Sequence, residues 1–118
     1  MAKEPTGDPS YAAEKFSLAV YSLATGRGAI KERLYHAFRE FVAVAERDIP
    51  PELREDFRWI RESLTNKPAS RTWMIRDKRQ REGRINATLR GMRLAKAEEI
   101  ATRIVTLADK LESSQAAA

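Results

Sequence analysis

From Ile85 to Leu111 apolar residues return at helical spacing: Ile85, Leu89, Ala97, Ile100, Ile104, Leu107, Ala108 and Leu111. A repeat near 3.6 residues gathers these side chains on one stripe, whereas a half-buried strand needs alternation with period 2. At 1.5 Å per residue the segment predicts a helix about 40 Å long. Such a stripe must be covered by other parts of the chain, and three further segments carry matching ones. None of the stripes alternates with period 2, so no strand is expected.

The first matching segment follows Asp8-Pro9, a favourable helix start because Asp caps free N–H groups and Pro suits the first helical position. Ser10 is the competing cap. Ala12, Phe16, Ala19, Val20 and Leu23 then form one stripe up to about Thr25, while Tyr11, Leu18 and Tyr21 fall on another side. A helix apolar on two sides is either central in its bundle or meets a partner. Thr25-Gly26-Arg27-Gly28 ends it, with Gly26 expected in the left-handed position after a helix C-terminus.

The second helix is expected over roughly Ala29 to Arg47, with Ile30, Leu34, Ala37, Phe38, Phe41, Val42 and Ala45 inward. Pro50 disfavours a helical conformation at Ile49 and closes it. The third helix is expected from Pro51 to about Thr65, with Leu53, Phe57, Ile60 and Leu64 inward and Trp59 off that face. Asn66-Lys67-Pro68 is a break. The stretch from Ala69 to Gly83 reads as a loop to about Arg71. A poorly packed helix then follows and runs into the fourth, because it offers only Trp73, Met74 and Ile75 to bury. The stripes predict an all-α fold: a single-domain antiparallel four-helix bundle with a long basic C-terminal helix. Residues 1–9 are expected as a flexible leader, 10–112 as the bundle and 113–118 as a disordered tail.

The chain has 118 residues, a length suited to one domain. It contains no cysteine and a single histidine, so thiolate and His-rich metal sites within one chain are excluded and no metal is expected. No apolar run approaches the ~18 residues that span a bilayer. The first ten residues lack the apolar core of a secretory signal, so the expected location is cytoplasmic.

No catalytic constellation emerges. His36 lies between Glu32 and Glu40 at i±4, a spacing that is the ordinary decoration of a solvated helix face. Glu52, Glu55, Asp56 and Glu62 interleave with Arg54, Arg58 and Arg61, the pattern of a salt-bridged exposed helix. There is no phosphate-binding Gly-Lys loop, no dinucleotide fingerprint and no Ser/His/Asp set in a suitable context. The expectation is a protein that is not an enzyme and uses no cofactor. Arg27, Gly28 and Lys31 stand at the start of the second helix, where free N–H groups without a complementary acid suit an anion. A plain interhelical turn accounts for the same residues.

Charge is unevenly distributed. From Lys67 to Lys96 ten Lys/Arg face two acids, a balance of +8; the remaining twelve basic and fifteen acidic residues sum to −3. Charge that serves only solubility tends to spread, whereas a binding stripe concentrates it. Arg71, Trp73, Arg76, Lys78, Arg79, Arg81, Arg84, Arg90 and Arg93 are the expected nucleic-acid contacts. If Trp73 to Leu111 is one helix, Arg76, Arg79, Arg90 and Arg93 share an arc of about 100°, together with the small Gly83, Asn86 and Ala97. Arg93 also falls inside the apolar stripe, where it either snorkels to water or pairs with an acid.

The expected function is non-catalytic binding of DNA or RNA through phosphates, with little sequence specificity because no recognised reading motif is present. The alternative is a module that docks a larger protein through the basic helix and Tyr11, Leu18, Tyr21 and Trp59. Homo-oligomerisation through the basic helix is opposed by repulsion between its copies.

Overall fold

The computed structural model describes residues 7–68 and 77–117; for 77–82 the description extends to the backbone. The chain is helical, with no strand among the described residues. Among the described residues five α-helices follow one another: α1 Pro9–Thr25, α2 Ile30–Phe41, α3 Arg54–Thr65, α4 Asp77–Arg90 and α5 Leu94–Ala117. Two short 3-10 turns, Glu46–Asp48 and Pro51–Leu53, link α2 to α3.

The expected start of α1 holds. Asp8 Oδ1 accepts the backbone N–H of Ser10 at 3.1 Å and of Tyr11 at 3.3 Å, with Pro9 at the first helical position. These bonds satisfy donors that have no partner within the helix. α1 packs on α2 and α5, and α3 packs on α4; α2 and α3 also touch α5. Phe16 links three helices, stacking on Phe41 of α2 at 4.5 Å between ring centroids and meeting Phe57 of α3 edge-on at 6.1 Å. Leu34, Phe38, Phe41, Phe57, Ile100 and Ile104, the residues most clearly marked for the core by periodicity, are all buried.

The long C-terminal helix is not continuous. α4 stops at Arg90 and α5 begins at Leu94, so the described residues form five helices where the stripes predict four. Gly91 sits at the break, where the backbone entropy of glycine weakens a helix by about 1 kcal/mol relative to alanine. Met92 N–H turns back to the Leu89 carbonyl at 3.1 Å, a tighter i→i+3 bond, and the Arg93 carbonyl accepts Ala97 N–H to begin α5. Arg93 therefore lies in the break and is exposed. Neither snorkelling along a helix stripe nor a buried ion pair describes it.

α2 also ends early, at Phe41 rather than near Arg47. The cause is Asp48, a buried carboxylate forty residues from its main partner. Its Oδ1 accepts the Asp8 N–H at 2.9 Å and its Oδ2 accepts the Ala45 N–H at 2.8 Å. The chain leaves the helix to make these bonds, and Val44 and Ile49 enter the core where continued helix would have carried Val42 and Ala45. Gly7 lies so close to the Arg47 carbonyl that a Cβ there has no room.

The turn between α1 and α2 differs in its glycines. Gly26 is extended (φ −64°, ψ 151°), and the positive φ belongs to Gly28, at 92°. Arg33 accounts for this geometry: it donates to the Leu23 carbonyl at the end of α1 (3.0 Å) and to the Gly28 carbonyl (3.3 Å). At the other end of the molecule α5 stays helical through Ala117 instead of fraying at residue 113, with Ser114 and Gln115 half-buried. α4 is anchored by Thr88, whose buried hydroxyl accepts the Lys67 N–H at 3.0 Å just after α3. Among the described residues no helix is long and apolar enough to cross a membrane.

Candidate nucleic-acid interface

α4 is the most basic helix by sequence, with Lys78, Arg79, Arg81, Arg84 and Arg90 against Asp77 and Glu82. Ile85, Thr88 and Leu89 turn inward and are buried, which holds the helix against α3 and α2. Arg84 and Arg90 are exposed. Six residues apart on a helix, they point about 120° apart and serve different openings. Arg84 lines a cavity of about 450 Å³ with Arg61, Phe41 and Val44 near the end of α2. Arg90 lines a cleft of about 340 Å³ between α2 and α4, shared with Lys31, Glu32, Tyr35, His36, Asn86 and Leu89.

The expected contacts divide as follows. Arg71, Trp73 and Arg76 lie outside the described residues. Lys78, Arg79 and Arg81 lie on α4. Arg84 and Arg90 are exposed on the same helix, and Arg93 is exposed beyond its end. The single arc that would have joined Arg90 to Arg93 does not form, because the helix they were to share stops between them.

The expected anion site changes character. α2 starts at Ile30, one residue later than its sequence pattern implies, and this brings Glu32 into the first turn. The Glu32 carboxylate lies against Gly28, within 3 Å of where a Cβ would stand there. A carboxylate at this position complements the positive end of the helix itself. Arg27 is exposed and Gly28 shapes the turn, while Lys31, half-buried, belongs to the α2–α4 cleft.

Of the four expected partner contacts, Tyr11, Leu18 and Tyr21 lie on α1 and Trp59 lies on α3. Leu18 and Tyr21 are exposed on α1, at 39 % and 67 %. Tyr11 is half-buried with the Lys15 ammonium 5.7 Å from its ring centroid. Trp59 is half-buried and flanked by α5, with Lys96 Nζ at 4.4 Å and Arg103 Cζ at 4.6 Å from its ring centroid. Two cations over one indole make this an intramolecular contact that fastens α5 to α3. Leu94 and Val105 of α5 are exposed apolar residues that periodicity did not single out.

Tyr35 is the cleft residue that sequence reasoning missed; Asn86 counted there only as a small residue on the arginine arc. Tyr35 stands one position after Leu34, at the border of the α2 stripe. An aromatic ring at such a border, followed by His36, was the available signal. Comparison with known proteins gives no match: no family model, curated protein or solved structure matches this chain.

Proposed function

We propose that this is a non-catalytic helical protein that binds nucleic acid through phosphate contacts made by α4 and the α2–α4 cleft. The observation that carries the reading is the concentration of +8 between Lys67 and Lys96 on a chain otherwise net acidic. Exposed Arg84 and Arg90 on α4, and Lys31 beside Arg90 in one cleft, support it. Guanidinium groups suit phosphate because their fork of donors fits two oxygens at once. Contacts of this kind fix register on a strand without reading its sequence. Binding of labelled duplex and single-stranded DNA and RNA at ~50 mM salt tests the proposal, with the Arg84→Glu/Arg90→Glu double variant alongside. Wild type binds and the double variant does not. Equal binding by both proteins rejects α4 as the contact surface.

A second reading, docking to a larger protein, is favoured by Leu18 and Tyr21, which lie three residues apart and exposed on α1. Large apolar side chains grouped on a surface are commoner at interfaces than elsewhere. In this reading a Leu18→Ser/Tyr21→Ser variant loses a co-purifying partner, while the α4 variant retains it.

A further inference from the structure

We infer that the α2–α4 cleft receives one unstacked base of a single-stranded nucleic acid, with the adjoining phosphate held by Lys31 and Arg90. The inference rests on the nucleic-acid reading and adds a strand preference to it.

The cleft, about 340 Å³, falls at the lower end of the size range of small-ligand pockets. Its composition is mixed in a particular way. Tyr35 and Leu89 give it an aromatic wall and an apolar one. Asn86 contributes an amide that both donates and accepts, as the edge of any base does. Lys31 and Arg90 contribute two cations from two different helices. The Tyr35 ring is held from its own helix, with the His36 ring edge-on at 5.5 Å and the Arg39 guanidinium 6.0 Å from its centroid.

Each part corresponds to one part of a nucleotide. A flat ring stacks on an aromatic face whatever its identity, because every base presents a π-surface. The amide meets polar atoms on the ring's edge, and the cations meet the phosphate. A simple anion would leave the Tyr35 and Leu89 walls without a partner. Bases paired within a duplex are already stacked and cannot enter a cleft of this size without being extruded. Glu32, the one acid of the lining, has its carboxylate against Gly28 at the start of α2, where the helix end complements its charge. The cleft therefore favours a strand whose bases are already free.

The test compares a fluorescently labelled single-stranded oligodeoxynucleotide with the duplex of the same sequence, at ~50 mM salt. Wild type, Tyr35→Ala and Asn86→Ala are measured on both. Asn86 is exposed on a helix, so alanine there preserves the fold even if loss of the Tyr35 ring does not. The single strand binds wild type more tightly than the duplex. Tyr35→Ala lowers single-strand affinity about tenfold, within the usual range for loss of one stacking platform. Asn86→Ala lowers it by less, and neither variant changes duplex affinity. A 2-aminopurine placed in the strand changes its emission on binding wild type; this change is lost in Tyr35→Ala and persists in saturated Asn86→Ala, which keeps the stacking ring. Equal affinity of wild type for both forms, unchanged in the variants, overturns the base-binding cleft and leaves backbone contact by α4 standing. No binding to either form overturns both.

Discussion

The Asp48 carboxylate accepts the backbone N–H of Asp8 at 2.9 Å, joining the residue that caps α1 to the turn that follows α2. The second oxygen accepts Ala45 N–H at 2.8 Å. One buried side chain thus fixes two chain segments whose backbone donors have no helical partner. Asp48→Ala leaves both donors without an acceptor and is expected to cost about 2–4 kcal/mol. Asp48→Asn keeps one acceptor oxygen and is expected to cost less. Urea unfolding of both variants checks the order; an alanine variant as stable as wild type would contradict it.

Asp8 gives the fold a dependence on acid. Its carboxyl is held below its ordinary value of 3.8, chiefly by the Ser10 hydroxyl and then by the Tyr11 N–H. A depressed folded value means that the stabilisation is complete above the unfolded value. It disappears as pH falls through the folded one. The first turn of α1 is expected to loosen over that acid range, while Asp8→Asn removes this part of the pH response. Carboxyl chemical shifts followed by NMR report the titration directly. Titration of Asp8 at or above the ordinary value would sink the assignment.

The core is expected to respond according to burial. Phe16→Ala removes a ring that meets Phe41 and Phe57, and is expected to cost about 3–5 kcal/mol. Ile104→Ala, fully buried on α5, is expected to cost about 2–5 kcal/mol. Val105→Ala, one residue further and exposed, is expected to stay within about 0.5 kcal/mol. Equal losses at Ile104 and Val105 in thermal unfolding would mean that α5 is rotated from the orientation described.

The core was legible because burial follows a local period: the phase of Leu34, Phe38 and Phe41 on one helix is enough to place all three inward. The break at Gly91 was not, because on a continuous helix Leu89 and Ala97 fall about 80° apart, close enough to read as one stripe. Gly91 directly after Arg90 was the only local hint. Asp48 escaped because its role depends on Asp8, far away in sequence, and no pattern within a window reports such a bond. The cleft escaped for the same reason: Lys31 and Arg90 are brought together by the packing of α2 on α4. The basic character of α4 was legible from charge alone, but the direction of each arginine was not.

Two glycines are expected to behave oppositely on substitution. Gly28 has a positive φ and lies against the Glu32 carboxylate, so Gly28→Ala is expected to destabilise by about 1–2 kcal/mol. Gly91 has no positive φ and open space where a Cβ would sit. Gly91→Ala is therefore expected to stabilise by about 0.4–1 kcal/mol through the unfolded chain. Denaturant midpoints of the two variants moving in the same direction would contradict the turn geometry.

Nucleic-acid binding by α4 is tested most directly by the salt dependence of affinity. Binding through phosphates releases counterions, so log affinity falls linearly with log salt, by about 0.9 per contact on duplex DNA and about 0.7 on a single strand. With four contacts the expected slopes are about −3.6 and −2.8. Arg90→Ala is expected to lower affinity to a similar degree for every sequence and to flatten the slope by roughly one unit. Steep slopes in wild type and a flatter one in Arg90→Ala are the predicted result. Absence of binding at ~50 mM salt, or a slope that Arg90→Ala leaves unchanged, would contradict it.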